Sequence, residues 1–341
     1  MKRKATITLG EIAEMLELSK ATVSNALTGN RYVSPSTVKK VREISEKYGY
    51  RANHLARGLR TRKTNVIGIT VPDITEPFYS SMVRYVEEEL KARGYTILLG
   101  SYNFDYEEEK RIAETFQGFM VDGMIVIAGL NETDEFYGEL SADLPIVFLD
   151  RYVEDKRIYS VVADHRQIGI DAVDYLVGKG HRKIIHLTIP FGDFRTAELR
   201  AQGYAEGLAM HGLEKQNSTI LVEPSMRLNE IPTSIAIAKR ISRLKATAVF
   251  AVSDYVAIGL LKGLSSLGVK IPEEVSILSV TNTNYCLVTS PTLTSISLSP
   301  VESTQKAVEI LLNLLSPKRR RPESVTVAHS IVERESVRDL S

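Results

Sequence analysis

The sequence predicts a two-part α/β protein: three short helices first, then parallel sheets with helices on both faces. Three observations carry this expectation. After residue 65, short apolar runs alternate with amphipathic helical stretches as far as residue 315. Before it, capped helical patterns of two to four turns share one apolar side. Charge also divides between the two parts. Residues 1–64 hold 14 Lys and Arg against 5 Glu and no Asp, while the whole chain is only +1, so the remainder sums to −8. A split of this size points to a polyanion partner for the first part.

Thr8-Leu9-Gly10-Glu11 fits a capping box, a hydroxyl at the N-cap with a carboxylate three residues on. Leu9, Ile12, Ala13 and Leu16 follow at helical spacing. Glu17-Leu18 reads as a turn, and Ser19 as the N-cap of a second helix. Val23, Ala26 and Leu27 form one face of that helix; Lys20, Ala21, Ser24 and Asn25 form the other. Small and polar residues there let the backbone approach base edges, and Asn25 suits adenine. A third helix starts at Ser34-Pro35. Its Val38, Val41, Ile44 and Tyr48 form an apolar stripe, and Gly49 suits a left-handed C-terminal position. Periodicity alone fits any small three-helix bundle. The charge favours a helix-turn-helix on DNA.

Thr8 to Arg60 resembles the headpiece of the lactose-repressor family of bacterial transcription factors. The matching text is Ile7-Thr8-Leu9-x-x-Ile12-Ala13, then Leu18-Ser19-Lys20-Ala21-Thr22-Val23-Ser24, then Tyr50-Arg51-Ala52-Asn53-His54-Leu55-Ala56-Arg57-Gly58-Leu59-Arg60. The resemblance implies base reading by Lys20, Ala21 and Asn25, and phosphate contacts by Thr22 and Ser24. It implies that Asn53 to Leu59 is a hinge helix ordered on DNA, with Leu59 as a minor-groove wedge that kinks the duplex. The expected DNA-binding set is Thr8, Ser19, Lys20, Ala21, Thr22, Ser24, Asn25, Asn53, His54, Ala56, Arg57, Leu59 and Arg60. Two departures stand out. Asn25 often has arginine as its counterpart, and Glu17 replaces a common turn glycine, at a small cost in stability.

The expected organisation is a DNA-binding domain at 1–52, hinge helix and linker at 53–65, and a core at 66–341. Val66 to Val71 reads as a buried strand, 79–93 as an amphipathic helix, and Tyr95 to Leu99 as a strand. A helix at 106–119 and strands at Gly123 to Ala128 and Pro145 to Leu149 follow. The same alternation recurs through helix 166–178, strand 183–188, helix 196–211, strand 219–223, helix 231–243, strand 247–252, helix 254–267 and strand 275–280. Such sheets bind ligands past the carboxyl ends of their strands. The candidates there are Asp73, Phe78, Tyr79, Asp150, Arg200, Ser253, Asp254 and Asn282. An aromatic pair, a guanidinium, carboxylates and short polar groups suit a small hydroxylated ligand. Each also has a plainer reading: Asp73 and Asp254 as helix caps, Phe78 and Tyr79 as core, Arg200 as a surface charge.

The resemblance continues, more loosely, along the core, which is similar to the periplasmic sugar-binding proteins. It implies two lobes crossed three times by the chain, with the effector between them. Lobe 1 is expected at about 66–163 and 293–321, lobe 2 at about 164–290 and 322–341. Positions matching Phe78, Tyr79, Asp150, Arg200, Ser253 and Asn282 would line the cleft, with Arg200 the foremost contact. Ser279-Val280-Thr281-Asn282 departs from the family's Gly-(Phe/Tyr)-Asp-(Asp/Asn) pattern, so one gripping carboxylate is missing. Asp164-His165 stands where Asp-Asn is common, and Leu298 where some members place a polar contact. The effector implied is a sugar or sugar phosphate; a phosphoprotein corepressor is the alternative control within the family.

Other classes fit less well. No phosphate loop, nucleophile elbow or His-Glu-x-x-His is present, and the six histidines are scattered, so neither an enzyme nor a metal or cofactor is expected. A sugar-modifying enzyme would need a general base in the cleft. A solute-binding protein would need a signal peptide, whereas Glu11 and Glu14 interrupt any such core and no stretch reaches membrane-span length. Cys286 is the only cysteine, so no intrachain disulfide forms, and the cytoplasm is expected. Lys318-Arg319-Arg320-Arg321 reads as a surface loop. No heptad repeat follows residue 336, so a homodimer is expected rather than a tetramer joined by a coiled coil. The reading is a repressor of double-stranded operator DNA under effector control.

Overall fold

The computed structural model describes residues 7–28, 33–50, 63–128, 130, 133–153, 155, 157–189, 195–222, 231–316 and 323–341. The chain forms two compact units, Met1–Thr64 and Asn65–Ser341. Asn53, His54, Ala56, Arg57, Leu59, Arg60 and the loop Lys318 to Arg321 lie outside the described residues.

Among the described residues, the first unit contains three helices: α1 (Leu9–Met15), α2 (Lys20–Thr28) and α3 (Pro35–Lys47). Local chemistry sets each start. Thr8 N–H donates to Glu11 Oε2 at 2.6 Å, and Glu11 N–H donates to Thr8 Oγ1 at 3.2 Å. The two bonds occupy otherwise orphaned helix donors, and they hold the Glu11 carboxyl below its usual range. Ser19 Oγ accepts from Thr22 N–H at 3.0 Å, and Ser34 Oγ from Thr37 N–H at 3.2 Å, with Pro35 in the first turn. Ile12, Ala13, Val23, Ala26 and Val41 form the buried core, with Leu9, Leu16, Leu18, Leu27, Val38, Ile44 and Tyr50 packed around it. Tyr48 departs from expectation. It is 45% exposed, because the helix ends there and the stripe drifts off the core; Tyr50 packs instead. Glu17 sits at φ 51, a left-handed position that strains any residue with a Cβ, which accounts for glycine being common there.

The second unit holds two six-stranded sheets. The first contains β1 (Val66–Val71), β2 (Thr96–Ser101), β3 (Gly123–Ile127), β4 (Ile146–Leu149), β5 (Tyr159–Ala163) and β11 (Val325–Val327), in the order β11-β5-β4-β3-β1-β2. The second contains β6 (Ile184–Thr188), β7 (Thr219–Leu221), β8 (Ala248–Ala251), β9 (Ser276–Val280), β10 (Thr294–Ser297) and β12 (Ser330–Val332), in the order β12-β10-β9-β8-β6-β7. The described ladders are parallel except β10–β12. Between strands run α4 (Pro77–Lys91), α5 (Tyr106–Gly118), α6 (Asp134–Leu140), α7 (His165–Gly178), α8 (Arg195–Met210), α9 (Ile231–Leu244), α10 (Asp254–Ser266) and α11 (Pro300–Leu315). Parallel strands need such crossovers, and helices on both faces explain why β3 and β4 read as unbroken apolar runs and β1 as one broken only by Thr70.

The chain passes between the sheets three times, after β5, after β10 and after β11. The expected lobe boundaries are corrected here. Thr294–Ser297 pairs with β9 and β12 and so lies in the second sheet, whereas Val325–Val327 pairs with β5 and lies in the first. Three- and four-residue strands rich in Ser and Thr carry too little pattern to show which edge they join. The same brevity hides β11 and β12 in the sequence; β5 and α6 are not anticipated there either. No helix among the described residues is long and apolar enough to cross a membrane.

Candidate functional site

The first unit presents α2 as its reading element. Val23 and Ala26 are fully buried, which turns Lys20 and Ala21 outward and leaves Thr22, Ser24 and Asn25 half-buried on the flanks. Ser19 is occupied as the cap, bonded to both the N–H and the hydroxyl of Thr22. Gly10 of α1 lies under the Lys20 stem; a Cβ there would sit 3.1 Å from Lys20 Cε. The outward face thus carries a cation, a methyl and short polar groups, the chemistry of phosphate and base-edge contact.

In the second unit the expected residues gather at strand ends. Past β1, Asp73 Oδ1 accepts from Thr75 N–H and Oγ1 at 2.8 and 2.7 Å, closing a turn. Glu76 then caps α4, its Oε2 accepting from Phe78 and Tyr79 N–H at 3.0 and 3.2 Å. Burial first, with the charges of Asp254 and Asp73 adding, raises the Glu76 carboxyl to about 7 against the pull of those two N–H groups. Phe78 is buried in the core, and the Tyr79 ring packs on it with centroids 5.7 Å apart. Burial, then the charges of Glu76 and Asp150, keep the Tyr79 phenol far above its usual range, with Arg200 opposing.

Past β4, Asp150 turns the chain at φ 59 and accepts, through Oδ1, from the Nε2 side of His165 at 3.2 Å. The other ring nitrogen, Nδ1, lies 2.9 Å from Arg200 Nη1. Arg200 projects from α8 and is buried; its Nε finds no acceptor among the described residues. Burial lowers the guanidinium from its usual value, and Asp150 and Tyr79 oppose that shift. Asp73, Glu76, Tyr79, Asp150 and Arg200 therefore share one electrostatic neighbourhood. Two of its members, Glu76 and His165, were not singled out as contacts from the sequence: a cap glutamate and a helix-start histidine have common structural roles.

Three expected contacts are placed differently. Ser253 is the N-cap of α10, accepting from Val256 N–H. Asp254 is fully buried. Its Oδ1 accepts from Ser279 and Ser295 hydroxyls at 2.6 and 2.7 Å, its Oδ2 from the Thr281 hydroxyl at 2.9 Å and Thr283 N–H at 2.6 Å. Both oxygens are thus occupied within their own lobe, which corrects the expectation of an effector contact at Asp254. Asn282, at φ 48 after Thr281 at φ 105, accepts at Oδ1 from Arg334 Nη2 at 2.7 Å.

On the same α8-facing side, His186 of β6 is fully buried between Phe250, stacked at 4.8 Å, and Tyr204. Burial lowers it to about 3, with Arg200 adding to the shift. The folded value lies below the unfolded 6.5, so its stabilising effect is complete above pH 6.5 and fades as acid approaches 3. At pH 5 the loss relative to neutral pH is about 2 kcal/mol. His186→Gln is expected to remove that acid slope between pH 7 and 5 in urea unfolding; an unchanged slope would mean that other groups set it.

Residues 8–53 match the family described as bacterial regulatory proteins, lacI family, and residues 173–337 match the periplasmic binding protein-like domain. Over 335 residues the chain is 31% identical to Catabolite control protein A of Streptococcus mutans, covering 98% of this chain and 99% of that protein. The chain belongs to the lacI family of bacterial regulatory proteins. This lacI-family chain is accordingly a DNA-binding transcription regulator and not an enzyme. Among solved structures, the lac repressor dimer bound to operator and an anti-inducer superposes with a TM-score of 0.83 at 21% identity, over 97% of this chain and 99% of that one. A lacI-family regulator from Enterococcus faecium with bound ribose gives 0.71 at 26% identity, over 81% and 100%.

Proposed function

We propose that this lacI-family regulator is a cytoplasmic repressor that grips its operator as a homodimer and responds to an unphosphorylated sugar held between its lobes. The observation that carries this is the buried Arg200, its Nε without an acceptor among the described residues, beside Tyr79 and Asp150, with Glu76 and Asp73 also acting on the Tyr79 phenol. A guanidinium and carboxylates around an aromatic ring suit sugar hydroxyls. A Glu76 carboxyl held at about 7 can donate to a hydroxyl or accept from one. Asp73, Asp150 and a partly ionised Glu76 together outweigh the one guanidinium, which opposes a phosphoryl group with its up to two further negative charges. A bound ribose in the Enterococcus faecium relative supports the same ligand class.

The DNA-binding set named above, α2 first, would meet the operator. The operator-bound dimer of lac repressor supports the assembly. So do exposed apolar side chains on each lobe: Leu99 on edge strand β2, and Tyr285, Leu287 and Val288 after β9. Two reading helices of such a dimer would enter major grooves about 34–36 Å apart.

Thermal shift with neutral sugars and their phosphates tests the ligand class. A matching neutral sugar at a hundred times its dissociation constant adds about 2.7 kcal/mol. Stabilisation by the phosphates alone would overturn the neutral-sugar reading. A gel shift on the upstream region of the gene, with and without that sugar, tests the rest.

A further inference from the structure

The first crossing between the sheets carries a histidine that effector binding as described leaves unused. His165 opens α7 and has no exposed surface. Its Nδ1 lies 2.9 Å from Arg200 Nη1 and its Nε2 3.2 Å from Asp150 Oδ1. A guanidinium only donates, so Nδ1 must accept. The ring is then neutral, with its proton on Nε2, and donates to Asp150; this tautomer follows from the partners. Asp150 ends a strand of the first sheet, and Arg200 stands on a helix that follows a strand of the second. One imidazole therefore joins the guanidinium of the cleft to a carboxylate of the opposite lobe. Among the described residues, the other groups around it are Asp164, the cap of its own helix, and Tyr152, whose ring lies 6.3 Å away; Tyr79 stands beyond, beside Asp150, Arg200 and Glu76, whose carboxyl is raised to about 7 and titrates above His165.

We propose that His165 is the positioning residue of this cleft: the neutral ring aims Arg200 at the effector and ties its position to Asp150 across the lobes, and a protonated ring lets Arg200 go. This regulation rests on reading the cleft as the effector site. The chemistry is forced by donor count. A protonated ring carries N–H on both nitrogens, so Nδ1 can no longer accept and two cations would face each other. Burial lowers the His165 value first, the bond to Asp150 opposes, and Arg200 lowers it further. The relay is therefore intact at neutral pH and lost as pH falls through a value below 6.5.

The test is run without sugar, so that it fails separately from the effector reading. Spin labels are placed on the full chain at Glu107→Cys in the first lobe and Glu273→Cys in the second, both exposed positions. The native Cys286 is buried and stays unlabelled. Labelled chain is diluted with unlabelled chain, and the inter-label distance is followed from pH 8 to 5. The parent is expected to shift its distance distribution with a midpoint below pH 6.5. His165→Gln keeps an amide acceptor and donor but does not titrate, so it should hold the parent's neutral-pH distribution throughout. His165→Ala should show the acid distribution already at pH 8. A parent that does not move, a Gln variant that moves like the parent, or an Ala variant with the neutral distribution at pH 8 would each overturn the proposal. So would nitrogen-15 spectra placing the His165 proton on Nδ1.

Discussion

Arg200→Ala abolishes the response of operator binding to the sugar: this is the largest functional effect expected. The guanidinium is the cation that the cleft offers, and it is already buried and held at 2.9 Å by His165. Its dehydration and ordering are therefore complete before a sugar arrives, and its remaining donors bond hydroxyls at little further entropy cost. Charge-assisted bonds of this kind contribute about 1.5–3 kcal/mol each. Losing two of them weakens sugar binding by on the order of a thousandfold. The gel shift without sugar should still show an operator complex, because the reading helix belongs to the other compact unit. A normal sugar response in the variant would mean that the effector binds elsewhere. Arg200→Lys is expected to recover only a small part, since an ammonium cannot span the forked geometry.

Asp254→Ala should have the largest effect on stability. Removing the carboxylate strands the hydroxyls of Ser279, Ser295 and Thr281 and the N–H of Thr283 in a dry interior. Each stranded donor costs about 1–3 kcal/mol, less what local rearrangement recovers, so a total on the order of 4 kcal/mol follows. The melting temperature should fall by roughly 10 °C. A sugar contact at this position would behave in the opposite way, with stability kept and sugar affinity lost. Denaturant unfolding beside a sugar titration on the same variant separates the two.

That residue also shows where reading the sequence stops. Whether a strand-end carboxylate faces a ligand or its own lobe depends on partners 25 to 41 positions away, and no local pattern encodes them. Ser279 and Thr281 stand where the resemblance implies glycine and a carboxylate. From the sequence they register only as a missing charge; in the fold they feed Asp254. The headpiece behaved differently. Thr8 with Glu11, Ser19 with Thr22, and Ser34 with Pro35 act over three residues or fewer, so each cap was legible before any fold was known. The alternating core elements were legible for the same reason, since burial on both faces writes itself into four to six consecutive apolar residues. Arg200 was a candidate from its place past a strand end, the resemblance made it the foremost contact, and its partnership with His165 required the fold.

The two short strands near residue 330 have a consequence for synthesis on the ribosome. β11 completes one sheet and β12 the other, and both lie beyond residue 324 of 341. A nascent chain that has emerged only to α11 carries β5 and β10 as uncovered edges, each a template for wrong pairing. Neither lobe can finish before residues 325–332 have left the exit tunnel, so the two close nearly together, after every earlier strand is out.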